Sequence, residues 1–258
     1  MRWFTLAIVC IATACHAAPR CGAPTTAPTP AGVTALHFAA ADGVSVTADL
    51  YAPHPDTAPM IVLFHQAGYS RGEYRTIAPK LNALGFNALA VDTRSGNATQ
   101  GVGNETAASA CTAGKPATYV DAMADMRAAV VEARKHARGK LLIWGSSYTS
   151  ALVLVLGNEL AADAVLAFSP GEYFGDLGKP KTWIADSAAA LTMPVFVTSA
   201  KSEQSEWAPI AAHIKHVTTF VPPTDGHHGS STLWPTQPDH DAYWTAVTAF
   251  LTPYLPER

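Results

Sequence analysis

Charge is scarce in this chain. Only 14% of its 258 residues are Asp, Glu, Lys or Arg, against about 25% in an average globular protein. The formal net charge is −3 and no block of like charges occurs. A nucleic-acid surface needs clustered Lys and Arg, so that class of partner is excluded. Metal-ligand spacing is missing as well. Asp225, His227, His228, Asp239 and His240 lie near one another, but no H-E-x-x-H or similar spacing occurs, and adjacent histidines on a turn point different ways. No metal and no cofactor are expected. There is no internal repeat.

A permanent membrane span is also missing, although the chain starts with an apolar stretch. Met1-Arg2 is a short positive segment, residues 3–14 are apolar, and small residues follow at Ala12, Ala14, Ala17 and Ala18. This is the layout of an export leader, and it is too short to remain in a bilayer as a helix. Cleavage is expected after Ala14 or Ala17, and residues 1–17 are assigned to the leader. The run Ile11-Ala12-Thr13-Ala14-Cys15 loosely resembles the site at which bacterial lipoproteins are cut and lipidated. Ala12 stands where a larger aliphatic residue is preferred, so plain secretion to the periplasm or medium ranks above a lipid anchor at Cys15.

Of four cysteines, Cys10 is lost with the leader and Cys15 is lost or lipidated. Cys21 and Cys111 remain, an even pair in an oxidising compartment, and neither sits in an apolar run that would bury a thiol. They are expected to form a disulfide. Residues 18–32 are rich in Pro, Thr and Ala and read as an extended tether. The folded domain is expected over residues 33–258.

Within that domain the apolar pattern switches between two periods. Two alternating segments flank Asp42-Gly43, a hairpin signal. Continuous apolar runs of strand length follow at residues 60–65, 86–91, 140–144, 164–168, 194–198 and 217–221. Helical spacing is expected over residues 73–84, 119–136, from 148 on, 205–214 and 239–251, with a short helical piece around 183–190. Residues 95–116 have no periodicity and read as a long functional loop. In residues 119–136 the stripe comprises Val120, Met123, Ala124, Met126, Val130 and Val131. The alternation predicts an α/β domain: a largely parallel sheet with an antiparallel hairpin at its start and helices on both faces. Ligands of such sheets sit beyond the carboxyl ends of the strands.

The strand ends carry chemistry. Gly145-Ser146-Ser147-Tyr148-Thr149 lies between an apolar strand and an apolar helix. It is close to G-x-S-x-G, a sharp turn that holds a serine up for nucleophilic attack. Ser147 is the candidate, because on the Ser146 frame Trp144 and Tyr148 would occupy positions that need small residues. Past residues 194–198 comes Lys201-Ser202-Glu203, and past 217–221 comes Asp225-Gly226-His227-His228-Gly229. A serine, an acid and a histidine thus follow separate strands in that order. Glu203 is preferred as the acid over Glu206, one helical turn later, and over Asp176 and Asp186, which precede the strand. Asp225 reads as a turn residue. Asp92-Thr93-Arg94-Ser95-Gly96 reads as a structural turn, and His65 as a structural hydrogen-bonder.

From Val33 onward the chain resembles an α/β-hydrolase, most nearly of the dienelactone-hydrolase-like branch. The resemblance rests on Phe64-His65-Gln66-Ala67-Gly68, Asp92-Thr93-Arg94-Ser95-Gly96, the Ser147 turn and His228-Gly229. Gln66 replaces the usual glycine after His65, Thr149 replaces the last glycine of the turn, and the nucleophile is serine where dienelactone hydrolase uses cysteine. The resemblance therefore implies the fold and not the dienelactone substrate. It implies His228, which directly precedes Gly229, as base rather than His227. An oxyanion would be held by the N–H of Tyr148 and by a second N–H from the His65 loop, Ala67 preferred and Gln66 the alternative. The implied activity is cleavage of a small carboxylic ester through an acyl-enzyme on Ser147. The implied rivals are a peptidase or amidase on the same fold, or a binding protein that keeps the fold. Residues 95–116 and 169–190 are expected to shape the acyl and alcohol pockets, with Tyr69, Tyr148, Tyr173, Phe174 and Trp183 as available aromatics.

Overall fold

A computed structural model of the chain describes residues 21–22 and 24–255. The leader expected over residues 1–17, with Cys10 and Cys15, lies outside the described residues. Ten strands are present among them: β1 (Thr34–Ala39), β2 (Ser45–Tyr51), β3 (Met60–Phe64), β4 (Asn87–Val91), β5 (Ala98–Thr99), β6 (Val102–Gly103), β7 (Leu141–Ser146), β8 (Ala164–Phe168), β9 (Val195–Thr198) and β10 (Val217–Phe220). Seven α-helices accompany them: α1 (Ile77–Leu84), α2 (Glu105–Thr112), α3 (Ala122–His136), α4 (Tyr148–Leu156), α5 (Trp183–Ala189), α6 (Gln204–Ala211) and α7 (His240–Leu251).

Eight strands form one sheet in the order β1-β2-β4-β3-β7-β8-β9-β10. β1 runs antiparallel to β2 and β2 antiparallel to β4, whereas every pair from β4 to β10 is parallel. The central strands β3, β4, β7 and β8 are buried at every position, as continuous apolar runs require when helices cover both faces. Alternate residues serve the two layers. Met60, Val62 and Phe64 join the core under α3, α4, α5 and α6, while Ile61 and Leu63 join the core under α1 and α7.

The register brings the carboxyl ends of the strands to one edge. Phe64 pairs with Gly145, Ser146 with Phe168, Phe168 with Thr198 and Thr198 with Phe220. Everything that follows those residues emerges side by side.

Three expectations are corrected. Residues 95–116 are not a structureless loop: they hold the β5–β6 hairpin and α2. The signal was a cap, since the Asn104 side chain accepts the N–H of Ala107 at 2.8 Å; the helix itself is built of Ala, Thr and Ser and has no apolar stripe to detect. Residues 73–76 do not belong to the first helix. Arg71–Tyr74 is a separate 3₁₀ turn, and α1 starts at Ile77. Val131 lies outside the buried stripe of α3, its side chain 64% exposed, while Asp125 is buried instead.

The reason for Asp125 is Arg94. Its guanidinium binds Asp125 and Asp42, and its N–H donates to Asp125 Oδ2 at 2.8 Å. Arg71 makes the same kind of centre with Asp49, Asp92 and Glu105. The turn after β4 is thus fixed by two buried arginines to the β1–β2 hairpin, to α2 and to α3, as Asp92-Thr93-Arg94 suggested. Buried ion pairs add little net stability, but removing one partner leaves an uncompensated charge.

Residues 21–22 and 24–32 form no regular element, yet they are docked rather than free. Ala27 N–H bonds Gly101 O, Arg75 donates to the carbonyls of Ala27 and Pro28, and the backbone of Gly103 leaves no room for a Cβ against Pro24. A disulfide between Cys21 and Cys111, 90 positions apart, joins this strap to α2. No helix among the described residues is long and apolar enough to cross a membrane. Reduction of the disulfide, or Cys111→Ser, is expected to lower stability by about 4 kcal/mol, read as a lower urea midpoint. Equal midpoints for oxidised and reduced protein would show that the strap's other contacts suffice.

Candidate active site

β7 ends at Gly145-Ser146, and α4 starts at Tyr148, so Ser147 alone makes the turn. Its backbone has φ 57° and ψ −122°, a conformation that costs a side-chain-bearing residue about 1–3 kcal/mol. Three contacts hold it there: Ser147 N–H donates to Phe168 O at 2.8 Å, and Ser147 O accepts from Ser150 N–H at 2.9 Å and Ser150 Oγ at 2.5 Å. Around this turn Ser147 is the half-buried residue, flanked on both sides by fully buried ones. Ser146 faces inward with its hydroxyl committed to Glu73 Oε1 at 2.8 Å, in keeping with the choice of Ser147.

Steric constraint explains Gly145. A Cβ there would lie 2.3 Å from the carbonyl oxygen of Thr149 and 2.5 Å from Cα of Ser150. Thr149, the departure from the sequence pattern, has its own bonding reason. Its buried hydroxyl accepts the N–H of Ser146 at 2.8 Å and faces Phe64 O at 2.8 Å. It ties the end of β7 to the end of β3, which glycine cannot do.

Glu203 ends a 3₁₀ turn (Lys201–Glu203) just past β9. His228 lies in the loop after β10. The two meet with His228 Nδ1 at 2.5 Å from Glu203 Oε1. Glu203 Oε2 accepts Ser169 Oγ at 2.7 Å and Ala200 N–H at 3.2 Å. Burial opposes ionisation of Glu203, but the bonds from His228 and Ser169 outweigh it and hold the carboxyl below the usual range. Glu206, His227, Asp176, Asp186 and Asp225 are all exposed. Asp225 is the turn residue expected before Gly226, which has φ 67°. Among the described residues no three His, Cys, Asp or Glu side chains are grouped to hold a metal.

Gly229 also has positive φ, and a Cβ on it would meet Gln66 Oε1 at 2.5 Å and Ser146 Oγ at 2.6 Å. The glycine after His228 lets the histidine loop lie against the serine turn and the His65 loop at once. Ser169, at the end of β8, completes the connection by accepting the N–H of Gly229 at 2.9 Å. Sequence reasoning passed over Ser169, although its strand-end position was the available signal.

His65 is buried. Its Nε2 accepts Thr93 N–H at 3.0 Å, so Nδ1 carries the proton toward Gln66 O at 2.8 Å. Burial lowers its pKa to about 4 and keeps it neutral. The N–H of Ala67 has no acceptor among the described residues. Gln66 N–H, the alternative second donor, is engaged by Glu73 Oε2 at 2.8 Å, which removes it from that role. Tyr148 is buried, its ring stacked on Tyr119 and its hydroxyl bonded to Thr93 Oγ1 at 2.6 Å, so its side chain is core. Its N–H opens α4 and points beyond the helix end. Tyr173 is half exposed, with its ring against Gly171 and its hydroxyl donated to Ser169 O at 2.7 Å, within hydrogen-bonding reach of Ser147.

No family model matches the chain, and no curated protein matches it in sequence. Solved structures do. An esterase of Pyrococcus furiosus superposes with TM-score 0.65 at 17% identity over 87% of this chain and 93% of its own. A dienelactone hydrolase of Anabaena variabilis gives 0.62 at 15% identity, covering 87% and 98%. A lidless α/β serine hydrolase of Xanthomonas campestris gives 0.61 at 14%, covering 89% and 98%. The chain has the α/β-hydrolase fold that the sequence pattern implied.

The Thr149 bonds predict that Thr149→Val, equal in shape but without the hydroxyl, costs about 1–3 kcal/mol by orphaning the buried N–H of Ser146. Thr149→Ser retains most of that stability. Urea unfolding checks both, and a valine variant as stable as wild type would remove this account of the turn.

Proposed function

We propose that the chain is an exported serine hydrolase that cleaves small carboxylic esters. The observation that carries the reading is the Glu203–His228 pair, whose loop packs through Gly229 and Ser230 against the turn that holds Ser147 at positive φ. In this reading His228 Nε2 takes the proton from Ser147 Oγ as the oxygen attacks the ester carbonyl carbon. Glu203 keeps the proton on Nδ1 and stabilises the imidazolium that forms. The tetrahedral oxygen anion takes hydrogen bonds from the N–H groups of Tyr148 and Ala67, each worth about 3 kcal/mol in the transition state. The carbon–oxygen bond to the alcohol breaks as His228 returns the proton to it. An acyl-Ser147 remains, and water, deprotonated by His228, releases the acid by the same steps. No cofactor enters. The segment 169–190 reaches the site through Ser169, which donates to Glu203, and Tyr173, whose hydroxyl donates to Ser169 O.

Export rests on residues 1–17 as a cleaved leader and is supported by the Cys21–Cys111 disulfide, which suits an oxidising compartment. Cell fractionation with N-terminal sequencing tests it; a mature chain that starts at a lipidated Cys15 would replace secretion by a lipid anchor.

Two experiments test the chemistry. On nitrophenyl esters of short and medium acyl chains, Ser147→Ala is expected to lower kcat by roughly 10⁴–10⁶-fold, and a fluorophosphonate should label wild type at Ser147. Label elsewhere, or a wild type inert on esters but active on amides, would overturn the assignment. Glu203→Gln is expected to cut kcat by about 10⁴-fold while Glu206→Gln leaves turnover unchanged. The opposite pattern would move the acid to Glu206.

A further inference from the structure

One buried acid has no place in that scheme. Glu73 is fully buried in the 3₁₀ turn Arg71–Tyr74 and forms no ion pair among the described residues. Its carboxylate is used up by neutral donors. Oε2 accepts Gln66 N–H at 2.8 Å and Oε1 accepts Ser146 Oγ–H at 2.8 Å. Ser146 Oγ in turn accepts Ser230 N–H at 2.8 Å. The Trp234 indole donates to the carbonyl of Glu73 at 2.8 Å, which ties the acid's own turn to the histidine loop.

The positions of these donors are the point. Gln66 precedes Ala67, Ser146 precedes Ser147, and Ser230 follows His228 by two places. The acid stands at the junction of the three segments that carry the proposed oxyanion donor, nucleophile and base. We infer that Glu73 is a positioning residue whose carboxylate, accepting directly from Gln66 and Ser146 and linked through Ser146 Oγ to Ser230, holds the oxyanion donor, Ser147 and His228 in one register. The inference rests on the serine-hydrolase reading above.

The charge of this group matters as well. The charged and titratable groups that act on it are His228 on the histidine loop, itself paired with Glu203, and the phenol of Tyr74 on its own turn. Arg71, on the same turn, is directed to Asp49, Asp92 and Glu105. Burial raises the Glu73 pKa to about 7, moderated by the bonds from Gln66 and Ser146 and by the charge of His228. An ionised carboxylate accepts from every donor aimed at it, whereas the protonated form brings an O–H against them. The folded state therefore binds this proton more tightly than the unfolded chain. It loses stability as pH rises through the interval from about 4.5 to about 7, and in the folded state the acceptor needed for alignment forms as pH passes about 7.

The test uses wild type, Glu73→Gln and Glu73→Asp, with kcat and KM on a nitrophenyl ester, fluorophosphonate labelling, and thermal unfolding at acid and mildly alkaline pH. Glu73→Gln should lower kcat about 10- to 100-fold, as a small misplacement does, with KM within about twofold. Glu73→Asp should recover part of that loss. The Tm of Glu73→Gln relative to wild type should rise between about pH 5 and about pH 8. A folded Glu73→Gln with wild-type kcat would overturn the inference. So would a Tm deficit equal at every pH with activity lost only in proportion to unfolded protein, the mark of a purely structural residue. A wild type that neither turns over esters nor labels at Ser147 would remove the underlying reading and this inference with it.

Discussion

The backbone of α4 crosses the end of β7 so closely that Gly145 has no space for a methyl group. That contact forces the chain to reverse within one residue, and Ser147 takes up the strain. Relaxing it would move α4 away from the sheet, and α4 is apolar on nearly every side, with Leu152, Val153, Leu154 and Leu156 all in the core. The burial of this helix is what maintains the unfavourable backbone of a single serine. Thr149 adds a polar lock at the same crossing, joining the ends of the two central strands through one hydroxyl.

Around that crossing the polar groups are arranged in layers of decreasing burial. Arg71 and Arg94 sit behind the strand ends with their carboxylates. Neutral His65 and the buried Glu73 come next, each bound mainly to backbone and hydroxyl groups. Glu203 and His228 are outermost, with side chains 26% and 40% exposed. Few charges occur in the sequence, and several of them lie inside the molecule. The low overall charge therefore understates how electrostatic the site is.

The sheet and its strand ends were legible in the sequence because continuous apolar runs bounded by Gly, Pro and Asp specify buried parallel strands. The meeting of Glu203 with His228 could be anticipated from their places after β9 and β10. What could not be read has physical causes. The Ala-, Thr- and Ser-rich α2 has no apolar period. Val131 continues a stripe that the real helix turns to solvent, because Asp125 must reach Arg94. Glu73 looked like an ordinary acid in the first turn of a helix, since nothing local reveals that a 3₁₀ turn directs it inward. Ser169 carried only a positional hint. Such groups are defined by which loops meet, and that depends on the register of distant strands.

The disulfide has a consequence for assembly. A chain with four cysteines admits three pairings. With the leader gone as proposed, Cys21 and Cys111 are the whole complement, and only one connectivity exists. An oxidant alone could then finish the protein, with no isomerase to correct a wrong bond. Because Cys21 precedes its partner by 90 positions, the clasp of a chain exported as proposed cannot close until β1 to β6 and α2 have passed into the compartment where oxidation takes place.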